Sequence, residues 1–219
     1  MSVALDHLVV AAASLEQGVA WCEATLGVTP GPGGQHPLMG THNRLLKIAT
    51  EAFPDAYLEI IAIDADATAP TRARWFGLDD PALQARLQER PRLIHFVARS
   101  TMLDMHRWGL ISVGLKPGDP VRAGRETPAG PLAWQILVRD DGRLECGGAL
   151  PTLIQWDGRH PAQAMPDSGV TLRALALRGV PDRASALLQL RGLDVQAGAG
   201  PALRATLQTP TGAVILESA

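Results

Sequence analysis

The sequence predicts an α+β fold of repeated strand–helix–strand–strand–strand (βαβββ) modules, two of full length and a shorter third one. Residues 5–11 and 93–99 are similar apolar runs with a histidine at the third position. Residues 170–177 have a similar apolar pattern, with Ala174 where the histidine would be. A helical pattern follows each run, and strand-like segments separated by Gly- and Pro-rich turns follow each helix.

The first module is predicted to occupy residues 1–65. Ser14 and Gln17 form a capping-box pattern at the start of a helix, and Gly27 is a typical residue at which a helix ends. The strand-like segments after this helix are residues 28–35, 41–49 and 57–64.

A connection over residues 66–91, with a helical stretch at 81–87, leads to a second module over residues 92–160. In this module, residues 101–108 predict a shorter helix that ends at Gly109. Its strand-like segments are residues 119–126, 132–139 and 151–157.

The third module is predicted over residues 169–219. Pro181 suits a first helical turn, and Gly192 suits the end of that helix. The short strand-like segments that follow are residues 194–197, 202–208 and 213–218.

Composition narrows the function classes. The net charge is −2 and no basic stripe is visible, so we expect no nucleic-acid partner. No apolar stretch approaches the ~20 residues that span a bilayer, and no basic leader precedes the first strand, so we expect no membrane association. The two cysteines, Cys22 and Cys146, form no motif and suggest free thiols in a reducing cytoplasm. Phosphate-binding loops and Gly-x-Ser-x-Gly elbows are missing from the sequence, so nucleotide-dependent and serine-hydrolase functions have no support.

The module order and several short phrases resemble the glyoxalase-like members of the vicinal oxygen chelate superfamily, which includes glyoxalases, bleomycin-resistance proteins and extradiol dioxygenases. The phrases are residues 5–10, 35–37, 40–45, 57–61 and 74–78. This resemblance covers nearly the whole chain and implies curved mixed sheets around a cleft that takes a small molecule. Two-module members often dimerise, so a homodimer is an expectation here. The third module departs from the two-module pattern, which leaves open which modules pair around the cleft.

The resemblance also implies a metal site. In the superfamily, the first and last strands of each paired module supply metal ligands to the cleft. Carried over position by position, these are His7, Glu59, His95 and Gln155, with Gln155 aligned to Glu59. Two imidazoles and a carboxylate suit a divalent ion of Fe, Zn, Ni, Mn or Co. Gln155 is the weaker ligand and could instead donate a hydrogen bond to a substrate.

Alternatives to this ligand set remain open. Glu217 lies in a segment that resembles the closing hairpin of superfamily modules, and it competes with Gln155 or Glu59 as a ligand. Either Glu59 or Glu217 could instead act as a catalytic base. A single histidine on an apolar strand is more often a core residue with satisfied hydrogen bonds, but three candidates at corresponding positions favour a shared site.

Further residues are expected to bind substrate on the strand over 41–49. Side chains alternate along a strand, so either Asn43 or His42 faces the cleft, but not both. The alternative is that these polar groups only satisfy a turn. Gln155 and Trp156 are the candidates from the second module, where Trp156 would form either an apolar wall for a ligand or part of the core.

Two functions are compatible with these residues and with the resemblance. The first is a metal-dependent enzyme of the isomerase, lyase or dioxygenase type, in which the metal acts as a Lewis acid on a substrate with two neighbouring oxygens. The second is a metal-free protein of the same fold that binds or sequesters small molecules. An amide at Gln155 in place of a carboxylate favours the second, and the fold does not choose between them.

Overall fold

A computed structural model describes residues 3–127, 130–190 and 192–218 of the chain. The elements of the first module are β1 (Ala4–Ala11), α1 (Leu15–Leu26), β2 (Gln35–His36), β3 (Thr41–Lys47) and β4 (Tyr57–Ile63). After α2 (Pro81–Glu89), the second module comprises β5 (Arg92–Arg99), α3 (Leu103–Ser112), β6 (Asp119–Arg125), β7 (Leu132–Val138) and β8 (Thr152–Asp157). The third comprises β9 (Thr171–Arg178), α4 (Asp182–Leu188), β10 (Asp194–Gln196), β11 (Leu203–Thr209) and β12 (Gly212–Glu217). The predicted α+β fold of βαβββ modules is confirmed.

The first two modules share one curved sheet of eight strands in the order β2-β3-β4-β1-β5-β8-β7-β6. The antiparallel pair β1–β5 joins them edge to edge. On its other side, each of these strands lies parallel to the last strand of its own module, β4 or β8. The first and last strands of both modules therefore meet at the centre of the inner face.

Two β-bulges interrupt the pairing of β1 with β5, at Asp6 and Ile94. Each bulge lies directly before the histidine of its module, His7 or His95. A bulge re-aims the side chains around it. Strict alternation predicts that Leu5 shares a face with His7, but Leu5 packs in the outer hydrophobic cluster instead.

The third module forms a separate four-stranded sheet in the order β10-β9-β11-β12. Its element order matches the prediction, but β9 lies between β10 and β11, whereas β1 and β5 each pair with the last strand of their own module. Apolar side chains such as Leu175 and Leu207 join the same outer cluster as Leu58 and Phe96 of the large sheet. The first two modules therefore form the cleft, and the third packs on the outside.

Local signals predict α1 well and α3 less well. The Ser14 side chain accepts a hydrogen bond from the Gln17 amide, and Gly27 ends α1 in the left-handed conformation (φ 72°). Helix α3 begins at Leu103 and runs through Gly109, where the sequence predicted its end. A Cβ at Gly109 would lie 2.5 Å from Leu187 Cδ1 of α4, so this glycine lets two helices approach closely.

Two further features complete the fold. The segment 28–35, predicted as a strand, is mostly irregular, and only its last residue lies in β2. Gly31 nevertheless forms an isolated bridge with Leu45 of β3. Within the described ranges, no helix has the length and apolar character needed to cross a membrane.

Candidate functional site

His7 lies between two carboxylates on the inner face of the large sheet. Its Nδ1 lies 2.7 Å from Asp6 Oδ1, and its Nε2 lies 3.5 Å from Glu59 Oε2. All three residues are buried, with exposures of 0%, 4% and 5% for Asp6, His7 and Glu59. Asp6 occupies the bulge of β1, and Glu59 lies on the neighbouring strand β4. We call these three residues the His7 cluster.

Asp6 is held by groups from the second module. Trp156 Nε1 donates to Asp6 Oδ2 at 2.9 Å, and His160 Nε2 lies 3.0 Å from the same oxygen. His160 Nδ1 accepts the Ala162 amide, so His160 Nε2 carries the proton and donates it to Asp6. Asp6 is thus fully hydrogen-bonded although it is buried.

Glu59 is oriented by Asn43. The Asn43 amide nitrogen donates to Glu59 Oε1 at 2.6 Å, and its amide oxygen accepts the Gly34 amide at 2.8 Å. Because Gly34 fixes the oxygen, the nitrogen faces Glu59. The remaining oxygen, Oε2, faces His7.

These contacts charge the cluster. Burial alone would lower the pKa of His7, but hydrogen bonds to Asp6 and Glu59 raise it to about 9. Burial alone would raise the pKa of Asp6, but hydrogen bonds from His160 and His7 hold it well below its usual range. Burial alone would also raise the pKa of Glu59. Its hydrogen bond with His7 has the opposite effect, and the net result is a lowered pKa. At neutral pH the cluster is an imidazolium between two carboxylates.

Tyr57 stacks on His7, with ring centroids 4.6 Å apart. Burial, together with the charges of Asp6 and Glu59, raises the pKa of Tyr57 well above its usual value. The Tyr57 hydroxyl therefore stays neutral and supplies no further charge to the cluster.

A small cavity of about 40 Å³ adjoins the cluster. His7, Asn43 and Glu59 line one side of it, and the other walls include Trp75 and Trp134. This volume exceeds the ~10–15 Å³ that a cavity needs in order to hold a water molecule. A second pocket of about 460 Å³ shares three lining residues with the small cavity, namely Leu45, Arg125 and Pro161.

His95, predicted as a ligand beside His7, is bonded within its own module. Its Nδ1 lies 2.9 Å from Gly148 O, and its Nε2 accepts the Thr152 amide at 3.1 Å. The same Nε2 lies 2.9 Å from Thr152 Oγ1. Burial lowers the pKa of His95 to about 3, so the ring is neutral and Nδ1 donates to Gly148. Both ring nitrogens already have protein partners.

The register of the parallel strand pairs identifies the counterpart of Glu59 in the second module. Glu59 lies beside Val9, two residues after His7. Thr152 lies beside Val97, two residues after His95. The sequence alignment that paired Gln155 with Glu59 is therefore shifted by three residues.

Three predicted site residues lie away from the His7 cluster. Gln155 faces α3, where its Oε1 accepts the Leu103 amide at 3.1 Å. Glu217 is exposed on β12 and forms an ion pair of 2.9 Å with Arg204. His42 points to the opposite face of β3 from Asn43. By contrast, Trp156 lies beside the cluster, so Asn43 and Trp156 are the predicted substrate-binding residues that the structure brings to it.

Sequence reasoning missed Asp6, His160 and Arg125. The signal for Asp6 was a second ionisable residue next to His7 in an apolar strand, but its inward orientation depends on the bulge. His160 lies just after the end of β8, where no local pattern predicts its contact with Asp6. Arg125 carries no local signal, because only the curvature of the sheet brings β6 towards β4.

The donor set fits a metal ion in part. His7 donates Nδ1–H to a carboxylate and turns Nε2 towards Glu59, an arrangement typical of metal-bound histidines. Beyond these two donors, the set is incomplete. Within residues 3–127, 130–190 and 192–218, no three His, Cys, Asp or Glu side chains form a group that could hold a metal ion.

Comparison with known proteins identifies a family that matches this chain. The family model described as "Glyoxalase-like domain" matches residues 5–191. A hypothetical protein from Staphylococcus aureus shares the fold, with TM-score 0.60 and 15% identity over 99% of this chain and 86% of that chain. A methylmalonyl-CoA epimerase from Streptomyces coelicolor, in complex with 2-nitronate-propionyl-CoA, is 17% identical with TM-score 0.43, over 69% of this chain and 94% of that chain. A methylmalonyl-CoA epimerase from Mycobacterium tuberculosis is 19% identical with TM-score 0.38, over 74% of this chain and 91% of that chain.

No curated protein sequence matches the chain. The family match covers most of the chain and agrees with the resemblance seen in the sequence. This chain therefore belongs to the glyoxalase-like domain family.

Proposed function

We propose that the protein is an enzyme acting on a small molecule with two neighbouring oxygens, and that His7 and Glu59 form its reactive centre. One observation carries the proposal: Nε2 of the buried His7 ring lies 3.5 Å from the buried carboxylate of Glu59 at the wall of an inner cavity. Buried groups with strongly shifted pKa values, facing a cavity, are typical of catalytic sites.

The two residues would have different roles. The positive charge of His7 would stabilise negative charge that develops on a substrate oxygen. Glu59 stays ionised and would accept a proton from the carbon adjacent to the carbonyl group that carries this oxygen. Asp6 would act as a positioning residue, because it holds the His7 ring and keeps it protonated. This pair fits isomerase and lyase chemistry, which begin with proton transfer next to a carbonyl group.

A divalent ion of Fe, Zn, Ni, Mn or Co would give the same centre in an alternative state, because a metal on His7 Nε2 takes the place of the proton that the imidazolium carries there. If such an ion binds, His7 Nε2 and Glu59 would hold it, and solvent or substrate would complete its coordination. The bound ion would supply a Lewis acid for the two substrate oxygens. His95 would join only after giving up its bonds to Gly148 and Thr152, and Glu217 would take no part.

The enzyme proposal is tested by proton exchange. Purified protein in D₂O is incubated with 2-oxo and 2-hydroxy carboxylates. NMR follows the loss of the C3 protons of the 2-oxo acids, next to the ketone, and of the C2 proton of the 2-hydroxy acids, next to the carboxylate. We expect exchange with at least one compound, and a loss of about 100-fold or more in Glu59→Gln, as general acid–base catalysis contributes 10²–10⁴-fold. Exchange at the wild-type rate in Glu59→Gln would overturn the role of Glu59.

The metal part is tested separately, by elemental mass spectrometry of protein prepared without a metal-affinity tag. The expected result is about one equivalent of metal that is lost in His7→Gln and Glu59→Gln and kept in His95→Gln and Gln155→Ala. Protein that binds none of the five ions after reconstitution would remove the metal from the proposal and leave the exchange assay to decide the rest.

A second function is favoured by one observation. Both nitrogens of His95 are bonded within the protein and Gln155 faces α3, so half of the ligand set that the resemblance implies does not reach the cavity. A metal-free protein that binds small molecules would need only the cavity and the adjoining pocket. Ligand binding without turnover or exchange, in protein with and without added metal, would support this function over the enzyme.

A further inference from the structure

Arg125 lies between the small cavity and the larger pocket. It is the last residue of β6 and lines both spaces. Its Nη1 is buried, and among the described residues it has no hydrogen-bond partner. Trp75 Nε1, another donor of the small cavity, is buried in the same way without a partner in the described part of the chain.

Such donors are unusual because a buried N–H group without an acceptor costs stability, and a charged one costs more. Arg125 also takes part in none of the ion pairs found among the described residues. A guanidinium presents several N–H groups in one plane, which matches the two oxygens of a carboxylate. The pair of unpartnered donors therefore suits a ligand that brings negatively charged oxygen.

The larger pocket has a different character. Its walls are mainly apolar and include Leu45, Leu132 and Met165. Its charged lining residues besides Arg125 are Lys47 and Asp167, which form an ion pair of 2.8 Å with each other, and Arg159. A pocket of about 460 Å³ is large enough for a small organic ligand.

We propose that the substrate is an apolar organic acid. Its carboxylate binds Arg125, its apolar body fills the 460 Å³ pocket, and the carbon next to the carboxylate faces Glu59. The orientation of that carbon rests on the function proposed above, whereas the binding of the acid does not. The Arg125 guanidinium and the adjacent apolar pocket together define this substrate class.

The test uses octanoate as the probe, with 1-octanol and octylamine as uncharged and positively charged analogues. Isothermal titration calorimetry of the full chain should give saturable binding of octanoate and at least tenfold weaker binding of both analogues. Octanol binding as tightly as octanoate would overturn the proposal, because the carboxylate would then contribute nothing.

Variants locate the anchor. Arg125→Met should weaken octanoate binding by about tenfold or more, the usual effect of losing a hydrogen bond to a charged group. Arg125→Lys keeps the positive charge but not the planar arrangement of N–H groups, so its affinity for octanoate should lie between those of wild type and Arg125→Met. The matched control is Arg122→Met, on the same strand but exposed; its affinity should stay within about twofold of wild type, as is usual for surface changes. Equal affinity in wild type and both Arg125 variants would refute the anchor.

Glu59→Gln separates the two proposals. This variant should bind octanoate at least as tightly as wild type, because it removes a negative charge near the bound carboxylate. Octanoate binding that depends on Arg125, with no proton exchange by the wild type, would uphold the ligand class and remove the enzyme. Proton exchange that is unaffected in Arg125→Met would uphold the enzyme and remove the proposed ligand class.

Discussion

Thr152 occupies in the second module the position that Glu59 occupies in the first. His7 Nε2 lies 3.5 Å from Glu59 Oε2, and His95 Nε2 lies 2.9 Å from Thr152 Oγ1. The bulge position before the histidine is Asp6 in the first module and Ile94 in the second, so His95 lacks both carboxylates that contact His7. The pKa of His7 is therefore raised, whereas burial lowers that of His95. Two modules with similar backbones thus provide one charged pair and one neutral pair.

Asp6 links the two modules, so its removal should have a large effect. Asp6→Asn keeps the volume but loses the charge that faces His7, and in either orientation its amide nitrogen would meet a donor, either His7 Nδ1–H or the Trp156 and His160 groups. Breaking a buried charged pair from one side typically costs about 3–5 kcal/mol. We expect a loss of this size in urea denaturation at pH 7. A loss below about 1 kcal/mol would mean that Asp6 does not hold the cluster together.

Alkaline conditions should destabilise the metal-free protein through His7. The pKa of His7 rises from 6.5 to about 9 on folding, so its contribution to stability is fully present below pH 6.5 and is lost as the pH rises towards 9. Over this window one proton bound only by the folded state lowers the free energy of unfolding by about 1.4 kcal/mol per pH unit. Urea denaturation in the presence of a chelator measures this slope. His7→Gln should lack it, and an identical slope in the variant would assign it to another group.

Acid should destabilise the protein through His95. Burial lowers the pKa of this residue from 6.5 to about 3, so below pH 6.5 the unfolded chain binds a proton that the folded chain does not. The free energy of unfolding should therefore fall by about 1.4 kcal/mol per pH unit from this group alone as the pH drops below 6.5. In His95→Gln, the free energy of unfolding should therefore fall less steeply between pH 6 and 4, by ~1.4 kcal/mol per pH unit. An unchanged acid limb would show that His95 is not buried as a neutral ring.

Asn43 and Gln155 offer a matched pair of amide side chains. Asn43→Ala removes the donor that orients Glu59, and should lower the proton-exchange rate by about tenfold or more, since misorienting a catalytic group is costly. Gln155→Ala removes an acceptor for the Leu103 amide and should cost about 1 kcal/mol of stability while leaving exchange unchanged. The reverse ranking of the two exchange rates would return Gln155 to the site.

The sequence predicted those parts of the fold that depend on local patterns. The cap at Ser14, the stop at Gly27 and the strands around Glu59 all follow from neighbouring residues. The register of β8 does not follow from neighbouring residues, because it is set by the pairing with β5 and by the turn before Thr152. The sequence alignment was displaced by three residues, so it paired Gln155 with Glu59 where the structure pairs Thr152.

The candidate site was predictable to the same extent. His7 and Glu59 were identified from the family resemblance, and strand alternation limited the choice on β3 to Asn43 or His42. Asp6 was missed because it faces inwards only through a bulge, and a bulge depends on the partner strand. Arg125 was missed because its lack of a partner is a property of the folded sheet that no local pattern records.

The reactive centre proposed above requires that His7 carries a proton between two carboxylates at neutral pH. The most direct measurement is a ¹⁵N NMR titration of the histidine rings in metal-free protein, with His7→Gln to assign the signals. We predict that both nitrogens of His7 are protonated at pH 7.5, and that the ring titrates near pH 9 in wild type and at lower pH in Glu59→Gln. A neutral His7 ring at pH 7.5, with one nitrogen unprotonated, would contradict the charged cluster.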